Sequence, residues 1–233
     1  MSVTTRWIEI DAGAGERYDG YLALPRAGKG PGVIIVQEIF GVNAHVRAVA
    51  EQYALAGYVA LAPDVFWRAE RRVELGYVGP DRDKALALLK RIDANQAAAD
   101  LGAAAQTLRA LPETAGKIGA VGFCFGGQLA YLMAARGSVD AAVAYYGGGI
   151  QNKLDDAANI RVPMLFHYAE HDSSIPQTAV DQVKQRFAGH AGAQFFDYPG
   201  AEHGFNCSDR AAYNQKASAL AHGRTLSFLS SVL

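Results

Sequence analysis

The sequence KIGAVGFCFGG at residues 117–127, followed by QLAYLMAAR at residues 128–136, decides the fold. It begins as a short apolar run, places glycines around Cys124 and continues as a helical pattern that ends at Gly137. Strand, glycine-flanked turn and helix form the setting of a Gly-x-nucleophile-x-Gly motif, because side chains two residues either side of the nucleophile would collide. We therefore predict that Cys124 lies above the carboxyl edge of a sheet, in front of a helix N-terminus that favours negative charge.

Cys124 also has a plain alternative interpretation, since a free cysteine is often only a small buried residue. Its position between a predicted strand and a predicted helix favours a nucleophile instead. A thiol nucleophile needs a base and an acid that orients the base, so the remainder of the chain must supply both.

Length, charge and cysteine content indicate the class of protein. The 233 residues are half hydrophobic and carry a net charge of -1, which suits one domain over residues 1–233 and offers no basic face for nucleic acid. Two cysteines, Cys124 and Cys207, are too few for a disulfide framework and fit a reducing compartment. The sequence shows neither a signal peptide nor an apolar run of membrane-spanning length. We expect a cytoplasmic protein, a monomer or weak homo-oligomer, without nucleic-acid or membrane partners.

Apolar runs alternate with helical patterns along the rest of the chain. Strands are predicted at 7–10 and 21–24 (an edge hairpin), 32–37, 58–61, 139–146, 164–168 and 194–198. Helices are predicted at 43–56, 81–93, 96–110, 177–187 and from 209 onward, with an irregular segment at 65–80. In the helix at 81–93, Leu86, Leu89 and Ile92 form the predicted apolar face. Continuous β-branched runs are typical of strands covered on both faces, so the pattern predicts an α/β fold with a mainly parallel, doubly wound sheet flanked by helices.

The groups that a cysteine nucleophile needs follow later strands. Asp172 lies in the polar loop after the strand at 164–168, and His203 lies in the loop after the strand at 194–198. Nucleophile, acid and histidine occur in the chain order of α/β-hydrolase triads. Each residue has an alternative role: Asp172 as a cap of the next helix, and His203 as a packed loop residue. His171 is the rival histidine, but neighbours along an extended loop point apart, so it does not easily bond both Asp172 and Cys124.

These motifs together resemble the dienelactone hydrolase family of α/β-hydrolases, also called carboxymethylenebutenolidases. The resemblance covers nearly the whole chain and rests on QEIFGVN at 37–43, GFCFGG at 122–127, YYG at 145–147, Asp172 and GAEHGF at 200–205. It implies the α/β-hydrolase fold and hydrolysis of a small lactone or ester through an acyl-cysteine. Cysteine at the turn is uncommon among α/β-hydrolases, which makes the match specific.

The resemblance also implies roles for residues outside the triad. The backbone N–H groups of Phe125 and Ile39 would form the oxyanion hole, and donors at that place face the charge that develops on the attacked carbonyl oxygen. Glu38 matches the family's active-site glutamate, which can accept the thiol proton or hold the thiol unreactive. The alternative for Glu38 is a structural salt bridge with an arginine of the segment at 65–80.

The substrate-binding arginines of the family are only partly matched. Arg82 stands where one of them falls. The second follows the histidine by four residues, where this chain has Cys207, and Gly204 replaces the family's serine. Arg210 is the candidate replacement for that second arginine.

Two further functions therefore stay open beside the opening of a small enol-lactone. One is a broader esterase or thioesterase for neutral substrates, and the other is a hydrolase-fold binding or redox-sensing protein. We expect no cofactor, since no phosphate-binding glycine loop follows an early strand. We also expect no metal, since His167 and His171 lie on a strand and a loop rather than on one helix face.

Overall fold

A single sheet of eight strands runs through residues 3–233, the part of the chain that the computed structural model describes. The order across the sheet is β1-β2-β4-β3-β5-β6-β7-β8. The strands are β1 Thr4–Gly13, β2 Glu16–Leu24, β3 Gly30–Val36, β4 Val59–Pro63, β5 Thr114–Phe123, β6 Ala141–Tyr145, β7 Met164–His171 and β8 Ala193–Glu202. The helices are α1 Ala44–Leu55, α2 Gly79–Leu89, α3 Ala94–Ala110, α4 Phe125–Ala135, α5 Gln177–Arg186 and α6 Gln215–Val232, with a 3-10 helix at Ile150–Asn159.

The strand directions confirm the predicted architecture. β1 and β2 form the edge hairpin, β2 pairs antiparallel with β4, and every pairing from β4 across to β8 is parallel. Parallel strands end at the same edge of a sheet. The loops after β3, β5, β7 and β8 therefore meet there, and these loops carry the predicted site residues.

The core explains why the strands contain uninterrupted apolar runs. The side chains of residues 33–36 in β3 and 141–143 in β6 are fully buried, and the buried apolar residues form one contiguous cluster. Strands covered on both faces have no solvent side on which polar residues would alternate. None of the helices within residues 3–233 combines the length and apolar character that crossing a bilayer requires.

Helix boundaries follow local capping chemistry. Asn43 caps α1 as predicted, since its Oδ1 accepts from the Val46 amide at 3.2 Å. The last helix was predicted from residue 209, but it begins only after Asn214, whose side chain accepts from the Ala217 amide at 3.0 Å. The residues between 209 and 213 form turns instead, which leaves Arg210 outside the helix.

The predicted apolar face of the helix at 81–93 is wrong. α2 ends at Leu89, so Ile92 lies beyond the helix. The residues that α2 buries are Ala85 and Leu88. Leu86 is 36% exposed. A small residue such as Ala85 lets the helix approach its neighbours closely, and a search for large side chains at helical spacing overlooks it.

The irregular segment between β4 and α2 is anchored by its arginines. Arg68 donates from Nε and Nη2 to the two carboxylate oxygens of buried Asp100, at 2.8 and 3.0 Å, and Trp67 Nε1 donates to the same carboxylate at 3.1 Å. Arg72 pairs with Asp19 at 2.7 Å. These arginines are therefore committed to other carboxylates than that of Glu38.

The end of this segment lies over the loop that follows β3. The Leu75 amide donates to the Phe40 carbonyl at 2.9 Å, and Gly41 forms an antiparallel bridge with Glu74. The Tyr77 ring contacts the Phe40 ring edge to face, with centroids 4.6 Å apart. Tyr77 is thereby held beside the predicted site.

Candidate active site

Cys124 occupies a sharp turn between β5 and α4. Its backbone has φ 56° and ψ -117°, a conformation that residues with a β-carbon rarely adopt. A β-carbon on Gly122 would collide with the Gly126 carbonyl, so the turn requires glycine there. The Cys124 amide donates to the Tyr145 carbonyl at 3.0 Å, which ties the turn to the end of β6. The Cys124 side chain remains partly exposed, as a nucleophile must be.

Two backbone amides beside this turn have no acceptor. A β-carbon on Gly126 would collide with the carbonyl oxygens of Val36 and Gln37, so the first turn of α4 lies directly against the end of β3. This contact brings the loop carrying Ile39 next to the turn. Within residues 3–233, neither the Ile39 amide nor the Phe125 amide donates a hydrogen bond. Unpaired donors aimed at one place are what an oxyanion hole needs.

Asp172 and His203 are joined by a buried hydrogen bond. His203 Nδ1 donates to Asp172 Oδ2 at 2.8 Å, and the side chains are 12% and 1% exposed, respectively. The other oxygen, Asp172 Oδ1, accepts from the amides of Ser174 and Ile175 at 2.8 and 3.0 Å. Asp172 therefore both orders its own loop and orients His203. The rival His171 is 65% exposed and lies beside Glu170.

Asp172 and Cys124 both raise the pKa of the His203 imidazole. Burial lowers its pKa, but the hydrogen bonds with Asp172 and with the Cys124 side chain outweigh burial and raise the pKa to about 10. The protonated ring is thus favoured near neutral pH. An imidazolium at this place can deliver a proton to a leaving oxygen.

Glu38 lies at the same edge and is only 3% exposed. Its Oε1 accepts from Arg210 Nη1 at 3.0 Å, while its Oε2 is buried and has no hydrogen-bond partner among residues 3–233. Burial raises the pKa of Glu38, and the charges of Arg210 and His203 oppose that shift. Glu38 does form a salt bridge, but the predicted source of its partner in the segment at 65–80 is wrong. Arg68 and Arg72 of that segment pair with Asp100 and Asp19, and Arg71 donates to the Arg17 carbonyl.

Cys207 is a packed residue in this structure. It is fully buried beside Tyr77, and burial raises its pKa to about 11. Tyr77 also accepts from Asn43 Nδ2 at 3.0 Å.

Within the described residues, no group of three or more His, Cys, Asp or Glu side chains is arranged to hold a metal ion.

Comparison with known proteins agrees with this geometry. The profile of the Dienelactone hydrolase family matches residues 18–233. The chain belongs to this family. It is 34% identical to carboxymethylenebutenolidase 1 of Cupriavidus pinatubonensis over 223 residues, which cover 95% of each protein. It is also 34% identical to the carboxymethylenebutenolidase of Pseudomonas putida over 226 residues, covering 97% of this chain and 96% of that protein.

Solved structures of the dienelactone hydrolase family share the fold. A Klebsiella pneumoniae protein provisionally assigned as a dienelactone hydrolase superimposes with a TM-score of 0.83 at 30% identity, covering 97% of this chain and 99% of that one. The dienelactone hydrolase of Anabaena variabilis, at 17% identity, has a TM-score of 0.74 over the full length of both chains and shows the fold alone. As a member of the dienelactone hydrolase family, the protein is a hydrolase of ester or lactone bonds.

Arg210 reaches Glu38 through the space that the missing side chain of Gly204 leaves open. A β-carbon on Gly204 would collide with Nη1 of Arg210 and lie 2.6 Å from its Cζ. The guanidinium carbon also lies 5.9 Å from the ring centroids of Phe40 and Tyr77. The place of the Arg210 guanidinium therefore depends on glycine at 204. The only signal in the sequence was an arginine at 210 close to the position where the resemblance implies one.

The other predicted arginine is placed differently. Arg82 lies in the first turns of α2, is exposed, and makes no hydrogen bond or ion pair with any residue in 3–233. Its role in substrate binding stays a prediction.

Replacing Gly204 with alanine should displace Arg210 from Glu38. We expect hydrolysis of an anionic lactone to fall about 10-fold, since a charged hydrogen bond contributes about 1.5–3 kcal/mol. The matched control is Gly200→Ala, because Gly200 also has positive φ (69°, against 88° at Gly204) but no atom lies within 4 Å of its added β-carbon. Both variants should lose about 1 kcal/mol of unfolding free energy in urea titrations. Equal kcat/KM in the two variants would contradict the coupling of Gly204 to Arg210.

Proposed function

We propose that the protein hydrolyses a small lactone, of the enol-lactone type, or a small carboxylic ester through an acyl-cysteine intermediate on Cys124. The observation that carries the proposal is the buried 2.8 Å hydrogen bond between His203 and Asp172, with the His203 imidazole close enough to Cys124 for the thiol to influence its pKa. A nucleophile, a base and an orienting carboxylate in mutual hydrogen-bonding reach are the diagnostic arrangement for acyl transfer.

The acylation step follows from these positions. The Cys124 sulfur attacks the carbonyl carbon, and the carbonyl oxygen takes the negative charge beside the amides of Ile39 and Phe125. The carbon–oxygen bond to the leaving group then breaks, and the imidazolium of His203 donates its proton to the departing oxygen. In a lactone that oxygen stays attached to the acyl chain, so acylation opens the ring without releasing a fragment.

In deacylation His203 accepts a proton instead of donating one. Neutral His203 takes a proton from water, the resulting hydroxide adds to the thioester carbon, and the Cys124 sulfur departs with its bonding electrons. Asp172 stabilises the imidazolium that forms in this step and holds the ring in the required tautomer. The products are a free carboxylic acid and the original enzyme.

Glu38 completes the proposed machinery as the group that gates the thiol. Its Oε2 is buried without a hydrogen-bond partner in the described part of the chain, and burial raises the pKa of Glu38, so the carboxylate is suited to accept a proton. Its Oε1 is meanwhile held by Arg210. A substrate that draws Arg210 away leaves a more basic carboxylate next to the nucleophile.

The charge of the substrate depends on Arg210. A carboxylate on the substrate would compete with Glu38 for the same guanidinium, because arginine binds carboxylates in paired hydrogen bonds. We propose such an anionic lactone as the preferred substrate. The second candidate is a neutral ester, and it is favoured by the existing 3.0 Å ion pair that already neutralises Arg210.

The test compares a carboxylated dienelactone with a neutral activated ester. For the wild type we expect a preference for the carboxylated lactone, and for Arg210→Gln a loss of about 10–100-fold on that substrate alone. Arg71→Gln is the control, since Arg71 donates only to the carbonyl of Arg17, away from Glu38. The measurement is kcat/KM by ultraviolet absorbance.

Two outcomes of this comparison would redirect the proposal. An Arg210→Gln loss that is equal on both substrates would contradict a carboxylate-binding role. A loss caused by Arg82→Gln instead would place the substrate carboxylate at the N-terminal end of α2.

A further inference from the structure

Tyr146 follows β6 in a conformation that a residue with a β-carbon rarely adopts. Its φ is 36°, and its amide donates to the His167 carbonyl at 2.7 Å. The preceding carbonyl, of Tyr145, accepts from the Cys124 amide. Backbone conformations of this kind are retained where the surrounding structure enforces them, and they concentrate at functional sites.

The Tyr146 ring lies against the proposed base. It contacts the His203 ring edge to face with centroids 5.1 Å apart, and the Phe205 ring at 5.2 Å. The residue is fully buried, yet its hydroxyl forms no hydrogen bond with any residue in the described chain. Buried tyrosine hydroxyls normally have a partner. A hydrogen-bond acceptor on the bound substrate would give the Tyr146 hydroxyl the partner it lacks.

The electrostatic surroundings keep this hydroxyl protonated. Burial raises the pKa of Tyr146 well above its ordinary value, and the negative charge of Glu38 adds to the effect, while Arg210 opposes it. Tyr146 therefore offers a neutral O–H donor at working pH.

We infer that the Tyr146 hydroxyl donates a hydrogen bond to the leaving oxygen of the bound ester or lactone. In the proposed chemistry the amides of Ile39 and Phe125 donate hydrogen bonds to the carbonyl oxygen, whereas the leaving oxygen has only His203 as a donor. The Tyr146 ring packs against His203. A donor here stabilises the negative charge that develops as the carbon–oxygen bond breaks. The inference rests on the proposed acyl-cysteine chemistry.

The test is Tyr146→Phe, which keeps the ring and removes only the hydroxyl. The matched control is Tyr168→Phe, because Tyr168 on β7 is also buried with an unpartnered hydroxyl but stacks on Phe166 in the core. We expect Tyr146→Phe to lower kcat/KM about 10-fold for an alkyl ester, and less for a nitrophenyl ester, whose leaving oxygen needs little stabilisation. Tyr168→Phe should match the wild type with both esters.

The outcomes separate this inference from the proposed function. The inference is overturned if Tyr146→Phe matches the wild type, or if it loses the same factor with both esters. In either case the proposed function stands as long as Cys124→Ala is inactive and iodoacetamide still labels Cys124 rapidly in Tyr146→Phe. Turnover by Cys124→Ala would remove the proposed function, and this inference with it.

Discussion

Cys124→Ala should lower kcat/KM for esters and lactones by about 10⁴-fold or more. Removing the nucleophile of a triad leaves only the catalysis that binding and the oxyanion hole provide, because the remaining members act as a unit with it. The substitution trims one sulfur atom from a partly exposed side chain, so the fold should persist. Initial rates on a nitrophenyl ester and an enol-lactone, with circular dichroism of both proteins, measure this.

The second cysteine supplies the control for that experiment. Cys207 is buried beside Tyr77, and it has no part in the proposed chemistry. Cys207→Ala should therefore stay active, although it loses packing and some stability. Retention of a tenth or more of the wild-type rate by Cys124→Ala would mean that another group attacks the substrate.

Asp172→Asn should lower kcat about 10³–10⁴-fold and move the alkaline limb of the pH profile to lower pH. Asparagine can still accept from the amides of Ser174 and Ile175, so the loop should keep its shape. It cannot stabilise the imidazolium as a carboxylate does. The pKa of His203, about 10 with Asp172 present, must then fall. The proton donor for the leaving group is therefore lost at a lower pH than in the wild type.

The measurement is kcat/KM from about pH 6 to about pH 11 for both proteins, since this ratio reports the free enzyme's ionisations. Asp181→Asn is the control: Asp181 is exposed on α5 and accepts from Gln177. An alkaline limb at the same pH in wild type and Asp172→Asn would show that His203 is not the group whose ionisation limits the reaction.

Sequence alone predicted the parts of this site that depend on local chain geometry. Gly122 is required by its contact with the Gly126 carbonyl four residues later, so the motif around Cys124 identifies the turn without knowledge of the rest, whereas Gly126 is also required by the distant carbonyls of Val36 and Gln37. The positions of Asp172 and His203 followed from one further rule, that loops after parallel strands share an edge. The hydrogen bond between these two residues is what that rule anticipates.

The parts that sequence alone predicted poorly depend on space between distant segments. Arg210 was a candidate, but its contact with Glu38 exists because Gly204 leaves room for the guanidinium, which no spacing rule expresses. The predicted buried face of α2 was wrong because Ala85 and Leu88 face the core, whereas Leu86 is 36% exposed. Tyr146 appeared only within a family motif, and its unpartnered hydroxyl became visible when the rings of His203 and Phe205 were placed around it.

The central claim is a covalent bond between the substrate's acyl group and Cys124. Rapid acid quenching of the enzyme with an activated ester, followed by mass spectrometry of the intact protein and its peptides, tests it most directly. The account predicts one added acyl group, located on the peptide that contains Cys124, removed by hydroxylamine and absent from Cys124→Ala. A burst of product from enzyme that remains unmodified at Cys124, or an acyl group on a different residue, would contradict it.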